Sequence, residues 1–289
     1  MTYSTAWWSS LYMTANPGFR AMFIELVQMP EDDIELDRAA LYLAGEEYPE
    51  IDIPSHLAQL DAFAAEVSQR VTYEAAPAGV ARAIAAYLYE ELGFQGNSGQ
   101  YYCPDNSFLN RVLETRAGIP ITLSLLFLEV ARRLGLRCSG VGLPGHFIVG
   151  LDDTGEYLDP FNSGATLSLE DCRALVSRMF AGSLEWQDTF LAPYTKRDIL
   201  FRILNNLKAV YMQNREYKKA VGVIQRMTII NPGEPSLYQE QAWCHAEQQE
   251  YRLAIETLEA YLQEAGSPDD SKHVKDQIKG LWSTLSRLN

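Results

Sequence analysis

Residues 145–160 read GHFIVGLDDTGEYLDP. β-Branched and aromatic residues flank the Asp152–Gly155 segment, whose Asp, Thr and Gly residues favour a turn. This pattern predicts two short antiparallel strands joined as a hairpin. The hairpin decides the fold class, because it interrupts a chain whose other apolar residues mostly recur at the three- and four-residue spacing of helices.

His146 and Asp159 lie on opposite strands of this predicted hairpin. A loop of residues 152–153 would place them directly opposite each other, and a loop of residues 153–154 would make them diagonal neighbours on one face. Either register brings imidazole and carboxylate within reach, because directly opposed β-carbons are about 4.5–5.5 Å apart. A carboxylate there fixes the imidazole tautomer, as a His-assisted nucleophile requires. The pair also fits an ordinary hairpin whose surface His and Asp perform no chemistry.

A buried helix is predicted directly before this hairpin. Charged residues occur only towards the end of the run from Ile121 to Arg133, so the helix is buried on nearly all sides. Pro120 suits its first turn and Gly135 the position after its end. Further helical spacing extends over residues 33–92, and a strand is expected at Ser139–Leu143. Together these elements predict a mostly helical α+β unit in which a small antiparallel sheet rests on the central helix.

The C-terminal third contains an internal repeat. Three pairs of similar residues recur thirty-four positions apart: Tyr217 and Tyr251, Ala220 and Ala254, and Ile224 and Leu258. This is the period of tetratricopeptide repeats. The pattern predicts two repeats of paired helices, with a helix from about Lys272 to Leu288 that caps them.

The composition argues against several classes of partner and cofactor. Thirty-eight acidic and 24 basic side chains give a net charge of −14, so the surface field repels phosphate backbones and anionic lipid headgroups. We therefore expect neither a nucleic-acid nor a membrane partner. The four cysteines form no C-x-x-C pair and no Cys/His cluster, which argues against a metal site, and we expect no cofactor. Reduced thiols and the absence of a signal-peptide pattern predict a cytoplasmic protein.

Four motifs, taken in order, resemble those of the SirB1 family: Asn106–Asn110, Arg116–Ser124, Gly145–Phe147 and Asp159–Asn162. The resemblance implies a transglutaminase-like, cysteine-proteinase-like α+β core joined to C-terminal tetratricopeptide-like repeats. It also implies that the His and the Asp of the hairpin share a cleft. On this basis we expect an N-terminal extension over residues 1–30, a transglutaminase-like domain with a helical N-terminal block over residues 31–190, and a repeat domain over residues 191–289.

The sequence departs from active transglutaminases at the nucleophile. In those enzymes a cysteine stands at the start of the central helix, where the helix N-terminus lowers the thiol pKa. In this chain the corresponding position falls at or next to Pro120, which carries no nucleophile. Cys103 is the thiol nearest in sequence, and Thr122 and Ser124 offer hydroxyl groups. Cys103 is therefore the candidate replacement nucleophile, although a lone cysteine in a loop is more often inert.

Two polar residues are candidates for ligand binding. Asn162 follows the Asp159-Pro160 corner, where its side chain bonds either the turn backbone or a ligand. Arg116 is placed to hold a carboxylate at the mouth of the cleft, although an exposed Arg needs no such role.

The sequence favours a non-catalytic or regulatory protein that retains His146 and Asp159 and binds a partner protein or peptide through its repeats. The alternative is a hydrolase or acyltransferase acting on amide bonds, in which Cys103 or a helix hydroxyl is the nucleophile. A third possibility is a scaffold whose cleft is vestigial. The lost helix-start thiol favours the first, because it is the part of the mechanism hardest to replace.

Overall fold

Two units make up the chain, Met1–Leu200 and Phe201–Asn289. The computed structural model describes residues 17–72, 75–152, 154–264 and 268–288. The first unit ends after Leu200, inside a helix, whereas the sequence placed its end after residue 190. The predicted limits of the domains 31–190 and 191–289 therefore stay predictions.

The described part of the predicted N-terminal extension is a packed helix. Residues 1–16 of that extension lie outside the described residues. Pro17–Val27 form helix α1, in which Phe23 is fully buried. Arg20 of this helix donates two hydrogen bonds to the Glu46 carboxylate, at 3.0 and 2.6 Å. From Pro17 onward, this segment therefore belongs to the first unit.

Side-chain hydrogen bonds cap the N-termini of two helices described in the first unit. The Asp52 side chain accepts the backbone N–H of Ser55 at 3.1 Å, and Ser168 and Asp171 cap each other reciprocally. The helices after α1 are α2 (Leu36–Glu47), α3 (Ile53–Ser68), α4 (Pro77–Ala85, continued by a π-helical turn at Ala86–Glu91), α5 (Leu109–Thr115), α6 (Pro120–Arg133) and α7 (Leu169–Met179).

Helix α6 is the central element that the sequence predicts. It begins at Pro120, every residue from Pro120 to Ala131 is buried, and Gly135 follows its end with a φ of +71°. The Thr122 hydroxyl accepts the backbone N–H of Ile119 at 3.1 Å, which satisfies a donor that the helix itself leaves unpaired. The predicted start, burial and end of this helix are confirmed.

Small strands provide the β part of the fold. Strands β1 (Gln95–Gly96) and β2 (Ala117–Gly118) form a short parallel pair. The main sheet is antiparallel, and its strand order is β3-β4-β5-β6. These strands are β3 (Cys138–Val141), β4 (Ile148–Leu151), β5 (Glu156–Asp159) and β6 (Ala165–Leu167). The expected α+β class, mostly helical with a small antiparallel sheet, is confirmed.

The hairpin formed by β4 and β5 adopts the second of the two predicted registers. Val149 pairs with Leu158, as expected for a loop of residues 153–154, although Asp153 itself lies outside the described residues. His146 and Asp159 are consequently diagonal rather than directly opposed. The structure differs from the prediction in one respect, since β4 begins at Ile148 and His146 lies in the segment that leads into it.

The second unit is a series of antiparallel helices. Helix α8 (Lys196–Gln213) runs into it, and α9 (Tyr217–Ile230), α10 (Pro235–Glu247), α11 (Tyr251–Glu264) and α12 (Pro268–Leu288) follow. Helices α9 and α11 begin at Tyr217 and Tyr251, the residues that set the thirty-four-residue period. The repeated Ala220 and Ala254 are fully buried, as small residues between closely packed helices must be. The predicted repeats are confirmed.

A buried ionic cluster ties α2 and α3 to the end of α6. The Arg133 guanidinium donates to Asp37 at 2.7 Å, to Glu129 at 2.9 Å and to Asp61 at 2.6 Å, and Arg132 adds contacts to Asp37 and Glu129. Burial and the neighbouring negative charge of Asp37 raise the pKa of Glu129 to about 7. Burial would also raise the pKa of Asp37, but the hydrogen bond and charge of Arg133 hold it below its usual value. Glu129 is thus the member of the cluster that titrates near neutrality.

The cluster predicts a pH dependence of stability. Because the folded-state pKa of Glu129 lies above its unfolded value, the stabilisation is complete below the unfolded pKa and is lost as the pH rises through about 7. We expect Glu129→Gln to flatten the decline in unfolding free energy between about pH 5 and pH 8, a decline of at most about 3 kcal/mol. Denaturant unfolding across this range measures it, with the exposed Glu170→Gln as control. Parallel pH curves for Glu129→Gln and the unaltered chain would contradict the assignment.

Candidate functional site

His146 and Asp159 form a buried hydrogen-bonded pair. A turn directs His146 towards the sheet: its backbone N–H donates to the Leu143 carbonyl at 3.0 Å, and Gly145 has a φ of +73°. Both side chains are buried, and Nε2 of His146 lies 2.9 Å from Oδ2 of Asp159. The contact expected from the hairpin is therefore present in the structure.

The Asp159 carboxylate accepts hydrogen bonds on both oxygens. Oδ1 accepts the backbone N–H groups of Phe161 at 3.1 Å and of Asn162 at 3.3 Å, and Oδ2 also accepts the Asn162 side-chain amide at 2.6 Å. Burial would raise the pKa of Asp159, but the bonds from His146 and Asn162 hold it below the usual value. The carboxylate is therefore ionised at neutral pH.

The ionised carboxylate fixes the tautomer of His146. An ionised carboxylate only accepts hydrogen bonds, so Nε2 of the imidazole carries the proton that Asp159 receives. In the neutral imidazole, Nδ1 is then a bare acceptor. Within the described ranges, no residue donates a hydrogen bond to Nδ1. Nδ1 is thus the atom of the pair left to act on a ligand or on a nucleophile.

Aromatic side chains surround the pair. The Phe161 ring stands edge-on to the imidazole at a centroid distance of 6.0 Å, and the Tyr101 ring lies 6.2 Å from Phe161. A Cβ on Gly96 would approach the Phe161 ring to 2.6 Å, so only glycine leaves room for that ring. Behind the pair, Tyr89 is fully desolvated, and burial together with the Asp159 charge raises its pKa well above the usual value.

Asn106 fixes the loop that carries Tyr101 and Cys103. Its side-chain amide donates to the carbonyls of Gln100 at 2.7 Å and Tyr101 at 3.1 Å, and its backbone carbonyl accepts the Thr122 hydroxyl at 2.7 Å. The loop is thus tied to the first turn of α6. Asn106 occurs in one of the motifs above, but its role could not be predicted, because it depends on the folded geometry of the loop and on Thr122 of another helix.

Comparison with known proteins agrees with this architecture. A transglutaminase-like superfamily model matches residues 54–205. The chain belongs to the transglutaminase-like superfamily. A tetratricopeptide repeat model matches residues 207–279. A UPF0162 protein of Xylella fastidiosa is 33% identical over 271 residues, covering 90% of this chain and 93% of the relative.

More distant relatives share all or part of this arrangement. A UPF0162 protein of Vibrio cholerae is 24% identical over 253 residues, which cover 86% of this chain and 93% of that protein. F-box only protein 21 of Mus musculus is 36% identical over 112 residues, which cover 35% of this chain and 18% of that larger protein. These two UPF0162 proteins therefore match nearly the full length of this transglutaminase-like chain, and the F-box protein matches only a segment.

Two absences hold for the part of the chain that the structure describes. Its helices include none that is both long and apolar enough to cross a membrane. Nor do its His, Cys, Asp and Glu side chains form a group of three suited to a metal ion.

The transglutaminase-like unit has no thiol at the start of its central helix. Helix α6 begins at Pro120, and the family resemblance places the missing cysteine at or next to this residue. The Thr122 hydroxyl is engaged by the Ile119 N–H and the Asn106 carbonyl, so it has a structural role. Ser124 is fully buried, and its hydroxyl has no hydrogen-bond partner among the described residues.

The cysteines differ in their surroundings. Cys103 lies in the partly exposed loop beside Tyr101, and no hydrogen bond joins its thiol to His146. Burial raises the pKa of the Cys138 thiol to about 12, and those of Cys172 and Cys244 to about 11. These three thiols are therefore protonated and unreactive at neutral pH. A catalytic role for Cys103 stays a prediction.

The two candidate ligand-binding residues have partners within the protein. Arg116 ends helix α5 with a φ of +58°, and its guanidinium donates to the Leu92 carbonyl at 2.6 Å. No hydrogen bond connects it to His146 or Asp159. Asn162 is exposed, and its amide orients Asp159. The structure thus brings Asn162 to the pair but does not bring Arg116 there, and their ligand-binding roles stay predictions.

The fixed tautomer is testable by nitrogen NMR of the imidazole. We expect neutral His146 to carry its proton on Nε2, and Asp159→Asn to produce a mixture of tautomers, because an amide no longer demands a donor. His146→Gln identifies the signal among the four His residues. Asn162→Ala is the matched control and should preserve the tautomer. A dominant Nδ1–H form in the unaltered protein would contradict the geometry.

Proposed function

We propose that the chain is a non-catalytic or regulatory transglutaminase-like protein that binds a partner protein or peptide through its tetratricopeptide repeats. The observation that carries this proposal is Pro120 at the first residue of α6, since the cysteine of active transglutaminases corresponds to a position at or next to it. The SirB1 resemblance and the two matching family models support the same domain arrangement. The free cysteines are consistent with the reducing cytoplasmic location that we propose.

The retained pair does not by itself make an acyl-transfer enzyme. His146 raises the reactivity of a neighbouring nucleophile by accepting its proton on Nδ1, and Asp159 stabilises the imidazolium that results. Neither residue supplies the atom that attacks an amide carbon. Without that atom, the pair contributes little to covalent turnover, because the members of such a site act as a unit.

The repeat unit offers a cavity suited to a partner side chain. Its volume is about 270 Å³, and it lies between α10, α11 and α12. The Gln277 side-chain oxygen is buried without a hydrogen-bond partner among the described residues, so a ligand N–H would satisfy it. The lining is otherwise mostly apolar, and the full set is Gln239, Ala242, Trp243, Ala246, Leu258, Gln277, Gly280 and Leu281.

Trp243 provides the test of partner binding by the repeats. We expect Trp243→Ala in the full-length chain to lose specific partners in quantitative pull-downs, because a large aromatic anchor in a cavity carries much of the binding energy. Trp282→Ala is the matched control, since Trp282 is comparably exposed but does not line the cavity. The proposal predicts an unchanged partner list for the control. Identical partner lists for the unaltered chain and Trp243→Ala would count against the repeats.

The alternative function is that of a hydrolase or acyltransferase in which Cys103 replaces the missing nucleophile. The observation in its favour is the chain of ring contacts from Tyr101, next to the Cys103 loop, through Phe161 to His146. A movement of this loop would have to bring the thiol to Nδ1. Asn106 opposes that movement, because it holds the loop through two carbonyls.

We expect transfer of a fluorescent amine to a glutamine peptide, and hydrolysis of that peptide, to be undetectable with the purified full-length chain. The physical reason is the absence of a positioned thiolate. The measurement includes Cys103→Ala and His146→Ala, with Cys138→Ala as a control for a buried thiol. Turnover by the unaltered chain that disappears in Cys103→Ala and His146→Ala, but persists in Cys138→Ala, would establish the alternative.

A further inference from the structure

The net negative charge of this protein comes from its first unit. Phe201–Asn289 contain eleven basic and eleven acidic side chains, so the second unit has no net charge. Met1–Leu200 contain thirteen basic and twenty-seven acidic side chains, which account for the whole net charge of −14. A cationic partner is therefore attracted to the transglutaminase-like unit rather than to the repeats.

Exposed and half-buried apolar side chains lie near His146. The Tyr102 ring lies 5.3 Å from Tyr101, which is linked through Phe161 to the imidazole. Two further apolar side chains lie at Gly145, the residue before His146, where an added Cβ would be 2.9 Å from Met179 and 3.6 Å from Phe180. We define the apolar rim as Tyr101, Tyr102, Phe161, Met179 and Phe180.

The exposure of this rim is unusual for the unit. Tyr101 is 37% exposed, Tyr102 63%, Met179 47% and Phe180 36%. The other large apolar side chains described as exposed in the first unit are Met22 and Met29, near helix α1. Contiguous exposed apolar surface commonly marks an interaction site. The rim is therefore a candidate docking surface separate from the cavity in the repeats.

His146 lies at the centre of the apolar rim, and exposed tyrosine rings lie at its edge. Both favour the same kind of ligand. At the centre, Nδ1 of neutral His146 can accept a hydrogen bond, so it favours a group that carries a hydrogen-bond donor, such as a guanidinium N–H. At the edge, the exposed tyrosine rings offer faces that attract cations, and guanidinium groups most readily combine such stacking with donation. The net negative charge of the unit adds long-range attraction of a cationic ligand.

We infer that the apolar rim is a docking site for a basic, arginine-containing segment of a partner protein. The inference rests on the proposed function, in that the His146 site binds rather than catalyses, and it adds a second contact region with its own chemistry. Nucleic acids and anionic lipids are repelled by the same charge that attracts this segment.

The test measures fluorescence anisotropy of a labelled arginine-rich peptide added to the full-length protein. The comparison peptide contains citrulline at every Arg position, which keeps the shape but removes the charge. We expect the arginine peptide to bind at least about tenfold more tightly. We also expect Tyr102→Ser and His146→Gln each to weaken binding by about fivefold or more. Tyr102 is exposed, so its substitution leaves the fold intact, and circular dichroism verifies this.

Two further variants separate this inference from the proposed function. Trp243→Ala and Trp282→Ala should leave affinity for the arginine peptide unchanged, since both lie in the second unit, which has no net charge. Loss of protein partners in Trp243→Ala with retained peptide binding supports both proposals. An unchanged partner list for Trp243→Ala, with retained peptide binding, would count only against partner binding by the repeats. It would still support the apolar rim as a docking site.

Several results would overturn the docking site itself. Equal affinity for the arginine and citrulline peptides would show that charge does not contribute to binding. Unchanged affinity in Tyr102→Ser and His146→Gln would show that the peptide binds diffusely over the acidic surface. Self-association of the protein that is abolished by Tyr102→Ser, without peptide binding, would identify a second copy of the chain as the occupant.

Discussion

The burial of helix α6 is the constraint on which the first unit depends. Because the helix is enclosed from Pro120 to Ala131, its polar side chains depend on partners within the protein. Thr122 and Glu129 have such partners, whereas the Ser124 hydroxyl has none among the described residues. At the start, Thr122 joins the helix to the loop of Asn106. Near the end, Arg133 joins it to Asp37 of α2 and to Asp61 of α3. The sheet packs against the same helix and positions the imidazole and carboxylate.

The presence of the His146–Asp159 pair does not require catalysis. Asp159 is buried, and its charge is compensated by four hydrogen bonds, one of them from His146. Replacing the imidazole alone would leave a buried carboxylate with fewer partners, and such a loss costs about 1–3 kcal/mol. The pair therefore contributes to stability as a satisfied polar network. Both residues therefore have a physical reason to be present that does not depend on a nucleophile.

Local sequence patterns predicted the secondary-structure elements of this protein, but they did not predict its long-range contacts. The hairpin, the start of α6 at Pro120 and the repeats beginning at Tyr217 and Tyr251 each follow from spacing within a short segment. The start of β4 at Ile148 was missed, because the turn before His146 depends on the left-handed Gly145. The roles of other residues depend on partners distant in sequence: Arg116 on Leu92, Asp37 on Arg133, and Asn106 on Thr122.

The position of Pro120 at the start of helix α6 is relevant to enzyme engineering. Proline at the first helical residue lacks an N–H, but the remaining N–H groups of that turn still direct their positive ends outward from the helix. A thiol in place of the ring would meet that field, which favours its anionic form. The imidazole and its orienting carboxylate are already assembled in the same unit. The first unit thus combines an oriented imidazole with a helix start that lacks a nucleophilic side chain, and a hydrolytic catalyst built on it would need a thiol within reach of Nδ1.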